Sequence, residues 1–269
     1  KVHALEGMIG FNQENATYKG VGLSRNNLIA NDIPFLNLAT GDRSTSDYMN
    51  QWAIRGAFFR LFYAYDDKYL VQVNGRYDGS SRFPKDDRFA FFPTFSLGWR
   101  LSQEKFWKPI AHIVNDFKIR GSYGALGNQV LLQGGNDMYY PYISTYTTGE
   151  VGYLFSGEKQ MGVYAPGLVS DQLTWETVKQ WDLGFNFSMF DSKLTGEFDY
   201  YVRTTEDMLT KSKTLPSILG VSEPQMNAAD LRTSGWEVAL TWKSALQNGF
   251  AYSATLSLSD YQAEITKYD

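Results

Sequence analysis

"KLTGEFDYYVR", residues 193–203, alternates from one end to the other. Successive side chains of an extended strand leave opposite faces, so Leu194, Gly196, Phe198, Tyr200 and Val202 share one face and Lys193, Thr195, Glu197, Asp199 and Arg203 share the other. The stretch before it, "QWDLGFNFSM" (180–189), sets Trp181, Leu183, Phe185, Phe187 and Met189 against Asp182, Gly184, Asn186 and Ser188. Working outward, "DFKIRGSYGA" (116–125), "GWEVALTWK" (235–243), "FAYSATLSLS" (250–259), "VQVNGRY" (71–77) and "TFSLGWRL" (94–101) keep the same period of two. The pattern predicts an all-β chain.

A half-apolar strand suits two architectures. In a soluble sandwich the apolar face turns inward, and in a membrane barrel it turns outward to lipid. Strand length favours the barrel, because these runs reach about 10 residues, which a tilted strand needs to cross a bilayer, against ~5–6 in globular proteins. Aromatic residues gather near strand ends, at Trp52, Tyr63, Tyr65, Tyr69, Trp99, Trp175, Trp181, Trp236 and Trp242, as interfacial girdles require. The connections also sort by length. Short links at 65–69, 102–116, 190–194 and 244–250 alternate with long ones at 19–50, 129–178 and 209–232 and a lesser one at 81–90. Bacterial barrels have this asymmetry, with brief periplasmic turns and extended outer loops. Within 102–116, Phe106, Trp107, Ile110, Ile113 and Val114 stand at roughly helical spacing, and Pro109 limits the length of any helix.

Composition removes several function classes. With 25 Lys and Arg against 29 Asp and Glu, the chain has no basic surplus to neutralise nucleic-acid phosphates. It has no cysteine, which excludes disulfides, thiolate zinc sites and cysteine nucleophiles. No apolar run approaches the ~18 residues of a transmembrane helix. The opening "KVHALEGMIGFNQEN" lacks the apolar core of a signal peptide, so the sequence reads as a mature form or an internal piece of a longer chain.

"GRYDGSSRFPKDDRFAFFPTFSLGWRLSQEKFW" (75–107), followed by "VNDFKIRGSYGALGNQ" (114–129), closely resembles the SusC/RagA family of TonB-dependent outer-membrane transporters from Bacteroidetes. "SDQLTWETVKQWDLGFNFSMFDSKLTGEFDYYVRTTEDML" (170–209) and "LRTSGWEVALTWK" (231–243) resemble the same family in collinear order. The resemblance implies a plugged barrel of about 22 strands, an N-terminal plug and a TonB-contacting segment. It further implies a SusD-like lipoprotein over the mouth, pairing of two transporter–lipoprotein units, and import of glycans or, less commonly, peptides. About nine membrane-length strands can be counted here, with neither plug nor TonB box and no evident final strand, so residues 1–269 are expected to be a partial barrel. Two alternatives remain at this stage. One is a siderophore or vitamin receptor of the same architecture without the lid, and the other is a soluble carbohydrate-binding β domain.

No catalytic constellation is present, and neither a metal site nor a cofactor is expected. His3 and His112 lie far apart in sequence, and Asp66–Asp67 and Asp86–Asp87 read as solvated turn residues. "GSYGALG" (121–127) has spaced glycines but no helix after it to receive a phosphate. The candidate ligand-binding residues are Tyr139, Tyr140, Tyr142 and Tyr146, among Asn, Asp and Thr in the 129–178 loop. Aromatic faces beside polar groups suit sugar rings or a peptide backbone. Leu215, Ile218, Leu219 and Met226 in the 209–232 loop are candidate contacts for the lipoprotein.

Overall fold

The computed structural model describes residues 2–133, 136–170, 172–211, 214–221, 223–246 and 249–268. Among these, the strands in chain order are β1 (His3–Arg25), β2 (Arg43–Tyr65), β3 (Tyr69–Ser80), β4 (Phe89–Arg100), β5 (Val114–Asn128), β6 (Leu132–Gln133), β7 (Asn136–Asp137), β8 (Thr147–Phe155), β9 (Glu158–Tyr164), β10 (Glu176–Met189), β11 (Leu194–Lys211), β12 (Gln225–Ala245) and β13 (Ala251–Tyr268). The nine long ones form one antiparallel sheet in the order β1-β2-β3-β4-β5-β10-β11-β12-β13. Each is therefore hydrogen-bonded to its nearest long neighbour in the chain, the up-and-down meander of a barrel wall. Two small hairpins, β6-β7 and β8-β9, fill the connection between β5 and β10.

Register carries the sequence alternation across the whole sheet. One row runs Leu97, Gly121, Leu183, Tyr200 and Trp236, and the adjacent row runs Gly98, Arg120, Gly184, Asp199 and Glu237. The apolar face is the exposed one, with Ile9 at 88%, Trp181 at 65% and Leu183 at 62%. No second sheet covers it among the described residues, which removes the sandwich. A large apolar face left open on a folded sheet is what a lipid-facing wall requires. On the opposite face, Arg120 reaches over Gly184 to Asp199 on β11 (2.6 Å), to Asp182 (3.4 Å) and to Asn186 (3.0 Å). Gly184 is what allows this. A Cβ there would collide with the Asp199 carboxylate and sit 2.6 Å from the Phe198 carbonyl oxygen.

The short links make tight ends. Asp66 and Asp67 hold φ of 50° and 55°, the left-handed pair at the centre of a turn that the Lys68 amide closes on the Tyr65 carbonyl at 2.9 Å, a conformation Asp tolerates better than most residues. Lys68 pairs with Asp66 at 3.2 Å and Arg100 with Asp67 at 2.5 Å. His3 bonds the Tyr63 hydroxyl through Nδ1 at 2.8 Å, and His3, Tyr65, Tyr69 and Trp99 form a continuous row of rings beside these turns. The 102–116 segment is helical only in short 3-10 turns, Leu101–Gln103 and Lys105–Ile110, the second containing Pro109. Trp107 there stacks on Phe117 at 5.4 Å, and the stack continues through Phe185 to Phe198 at 5.6 and 5.5 Å.

Two expectations need correction. The long links are shorter than the sequence suggests, because strand pairing continues well past the membrane-length core: Arg25 still pairs with Arg43 and Lys211 with Gln225. The first and last long links therefore shrink to 26–42 and 212–224. Nor do all the aromatics belong to a girdle. Trp175 is 6% exposed in a core beneath the loops, and Trp52 falls on the Arg120 face of the sheet.

Candidate functional site

All the long links leave the same end of the sheet, and the site is built there. Its footing is a small apolar core of Phe83, Phe92, Ala125, Leu131 and Trp175. The Trp175 ring lies 4.9 Å from Phe83 and 5.4 Å from Phe92, and its Nε1 donates to the Arg88 carbonyl at 3.3 Å. Thus "SSRFP" (80–84) is folded down as an anchor for its neighbours, with Ser80 and Arg82 buried beside Phe83.

Asn227 near the start of β12 then clips the long β5–β10 connection to the sheet. Its amide donates to the Thr174 and Asp207 carbonyls at 3.0 and 2.6 Å, while its side-chain oxygen accepts from the Thr174 amide at 3.0 Å. Gln225 donates to the Leu132 carbonyl at 3.3 Å. One polar strand end therefore holds both ends of the connection.

Above this footing is a cavity of about 800 Å³. The β5–β10 connection supplies Met138, Tyr139, Tyr140, Ile143 and Leu168, the β11–β12 link supplies Val221 and Glu223, and Asn50 enters from β2. Glu223 is half-buried and makes no ion pair or side-chain hydrogen bond among the described residues. It is also the only charged side chain among the described lining residues. Tyr139 is fixed from behind. The Arg82 guanidinium lies 5.3 Å from its ring centroid and pairs with Asp137 at 3.5 Å. Burial, reinforced by the Asp137 carboxylate, pushes the Tyr139 phenol above its ordinary pKa, so it stays a hydroxyl donor. Tyr140 holds φ at 144°, a backbone conformation that side chains rarely adopt, and its ring meets Tyr142 edge-on at 6.3 Å.

The tyrosines named from sequence thus separate. Tyr139 and Tyr140 line the cavity, and Tyr142 packs behind them with its hydroxyl 3.5 Å from the Ser81 carbonyl. Tyr146 is 73% exposed and outside the lining. Of the apolar quartet, Ile218 and Leu219 project from a 3-10 turn at 92% and 53% exposure. Leu215 is half-buried, and Met226 lies on β12 opposite Thr210. Asn227 and Glu223 carry no signal in the sequence, since no motif marks an Asn that replaces a missing backbone partner or a lone acid within a loop. Among the described residues no three His, Asp or Glu side chains converge as a metal site.

The decisive comparison is with protein families: the model described as "TonB dependent receptor-like, beta-barrel" matches residues 3–269. The chain belongs to that family. TonB-dependent receptor P3 of Formosa agariphila is 31% identical over 98% of this chain and 26% of its own length. TonB-dependent receptor SusC of Bacteroides thetaiotaomicron is 28% identical over 84% of this chain and 22% of its own. The chain spans about a quarter of the length of the curated relatives it matches. Among solved structures, the RagAB peptide transporter superposes over the full chain and 29% of its own length, with a TM-score of 0.82 at 23% identity. The fold is therefore a stretch of a TonB-dependent receptor barrel, as the SusC/RagA resemblance implied, and the family is one of transporters.

Proposed function

We propose that this chain is part of the wall and mouth of a TonB-dependent importer in a bacterial outer membrane. It takes up a nutrient, glycan or peptide, together with a SusD-like surface lipoprotein. The observation that carries this reading is the pairing of an outward apolar face with an aromatic-lined cavity at the long-loop end of the same sheet. With the apolar face turned to lipid, the cavity would lie at the mouth, where ligand is caught before passage. Tyr139 and Tyr140 offer ring faces, and Asn50, Glu223 and Gln225 offer polar contacts that fix orientation. Ile218 and Leu219 stand out from the mouth as a surface for the lipoprotein. Energy reaches the barrel from TonB through parts of the protein outside this chain.

The test is uptake by cells carrying the full-length transporter, using a fluorescent oligopeptide and a fluorescent oligosaccharide. One of them is imported, import stops when TonB is deleted, and the pair Tyr139→Ala/Tyr140→Ala lowers affinity about tenfold at unchanged surface level. Import that survives loss of TonB overturns the reading. Purification without any lipoprotein would point instead to a receptor of the siderophore or vitamin kind.

A further inference from the structure

Arg55 is exposed on the lipid-facing side of β2, and no carboxylate among the described residues pairs with it. Among the described residues it makes no ion pair or side-chain hydrogen bond, and its guanidinium lies 4.9 Å over the Phe89 ring. Its neighbours on that face are Gln13, Gly79, Ala53 and Ala57, none of them acidic. From Tyr65 in the girdle row to Arg55 is ten residues of β2. At ~3.3 Å per residue and a tilt of ~40°, that is about 25 Å along the membrane normal, the height of a barrel's apolar band. Arg55 therefore stands at the far edge of the band, on the long-loop side.

One step below it the band is indented. A cavity of about 550 Å³ opens on the outer face between Ile9, Phe11, Ala57, Phe59, Tyr77 and Phe91. Gly75 lies between the last rings, and a Cβ there would collide with both Phe59 and Phe91. Without it the two rings lie down over β3 and leave the hollow beside them. Tyr77 is held at the upper rim by stacking on Phe89 at 5.4 Å, the same ring that Arg55 covers.

We infer that this face binds one outer-leaflet lipid whose phosphate headgroup is net anionic, its acyl chain in the hollow and its phosphate on Arg55. Charge complementarity selects the headgroup. An unpaired guanidinium at the edge of hydrocarbon attracts a phosphate in a bidentate contact, while a zwitterionic or neutral headgroup brings its own cation or no charge. The stack on Phe89 fixes the guanidinium at one height, so the chain and the phosphate are read together. The inference rests on the outer-membrane reading above.

The test uses the full-length transporter, taken from the outer-membrane fraction and analysed by native mass spectrometry. The probes are monophosphoryl lipid A, the same lipid after its phosphate is removed, and phosphatidylcholine. The wild type is expected to retain one monophosphoryl lipid A under activation that strips phosphatidylcholine. Dephosphorylation and Arg55→Gln each lower retention about fivefold, and Arg55→Lys restores most of it. Ala57→Phe, which fills the hollow, lowers retention of both forms of lipid A. Equal retention by the wild type and Arg55→Gln overturns the site while leaving the import reading intact. Absence of the transporter from the outer-membrane fraction overturns that reading and the site with it.

Discussion

Leu183 and Ser188 stand on one strand and face opposite media, Leu183 in the exposed apolar row and Ser188 beside the Ser192 hydroxyl at 3.0 Å. In the full-length transporter, Leu183→Arg or Phe185→Arg should cost about 2–4 kcal/mol where the side chain lies near the bilayer midplane. Ser188→Arg should change stability by no more than about 0.5 kcal/mol. Urea unfolding from lipid vesicles measures all three, and equal tolerance on both faces would speak against the lipid assignment. At the short-turn end, the Glu104 carboxyl is held below its ordinary pKa by hydrogen bonds from Tyr69 (2.7 Å) and Trp99 (3.3 Å), with help from Lys68. A carboxylate with a lowered native pKa adds stability above its unfolded pKa and loses it as pH falls through the native value. The turn should therefore loosen below about pH 4, and Glu104→Gln should flatten that acid limb. Hydrogen exchange across 101–113 as a function of pH measures the effect. Which face a residue takes was legible from position parity alone. The burial of Trp175 was not, because parity says nothing about a residue just before its strand begins.

For the elements, the controlling contacts cross strands. Arg120 ties β5 to β11 by passing over β10, and only a glycine at 184 leaves room. Gly184→Val should break the Arg120–Asp199 contact and cost about 1–3 kcal/mol, with Arg120→Ala giving a similar loss and the double variant little more. A thermodynamic cycle in lipid vesicles checks this, and fully additive losses would mean that the two do not act through one contact. Asn227→Ala should free the Thr174 backbone and raise hydrogen exchange at residues 172–176 while the band of β10 stays protected. The existence and order of the nine long strands were legible, since they repeat a period of two, whereas the small hairpins β6-β7 and β8-β9 fall in a stretch that reads as one loop. Their ends were not. Beyond the band, pairs such as Thr210 with Met226 continue on mixed side chains that read equally well as loop.

For the whole molecule, the open apolar face means that a transporter containing this wall should need detergent to stay dispersed. It should also migrate differently on gels before and after boiling, as folded barrels do; solubility without detergent would defeat the lipid reading. The candidate site was the least legible feature. Tyr139 and Tyr140 carried an aromatic signal, but their meeting with Asn50 and Glu223 depends on two links converging with the β2 strand at one end of the sheet, which no local spacing encodes. The same connection bears on assembly. Asn128 and Glu176 touch across the β5–β10 seam although 48 residues separate them, whereas the other long strands meet neighbours only a turn or a modest loop away. Closing the longest loop carries the largest entropic penalty, so β1–β5 and β10–β13 should zip as two separate curtains before this seam joins them. A destabilised barrel should then tear first along that line.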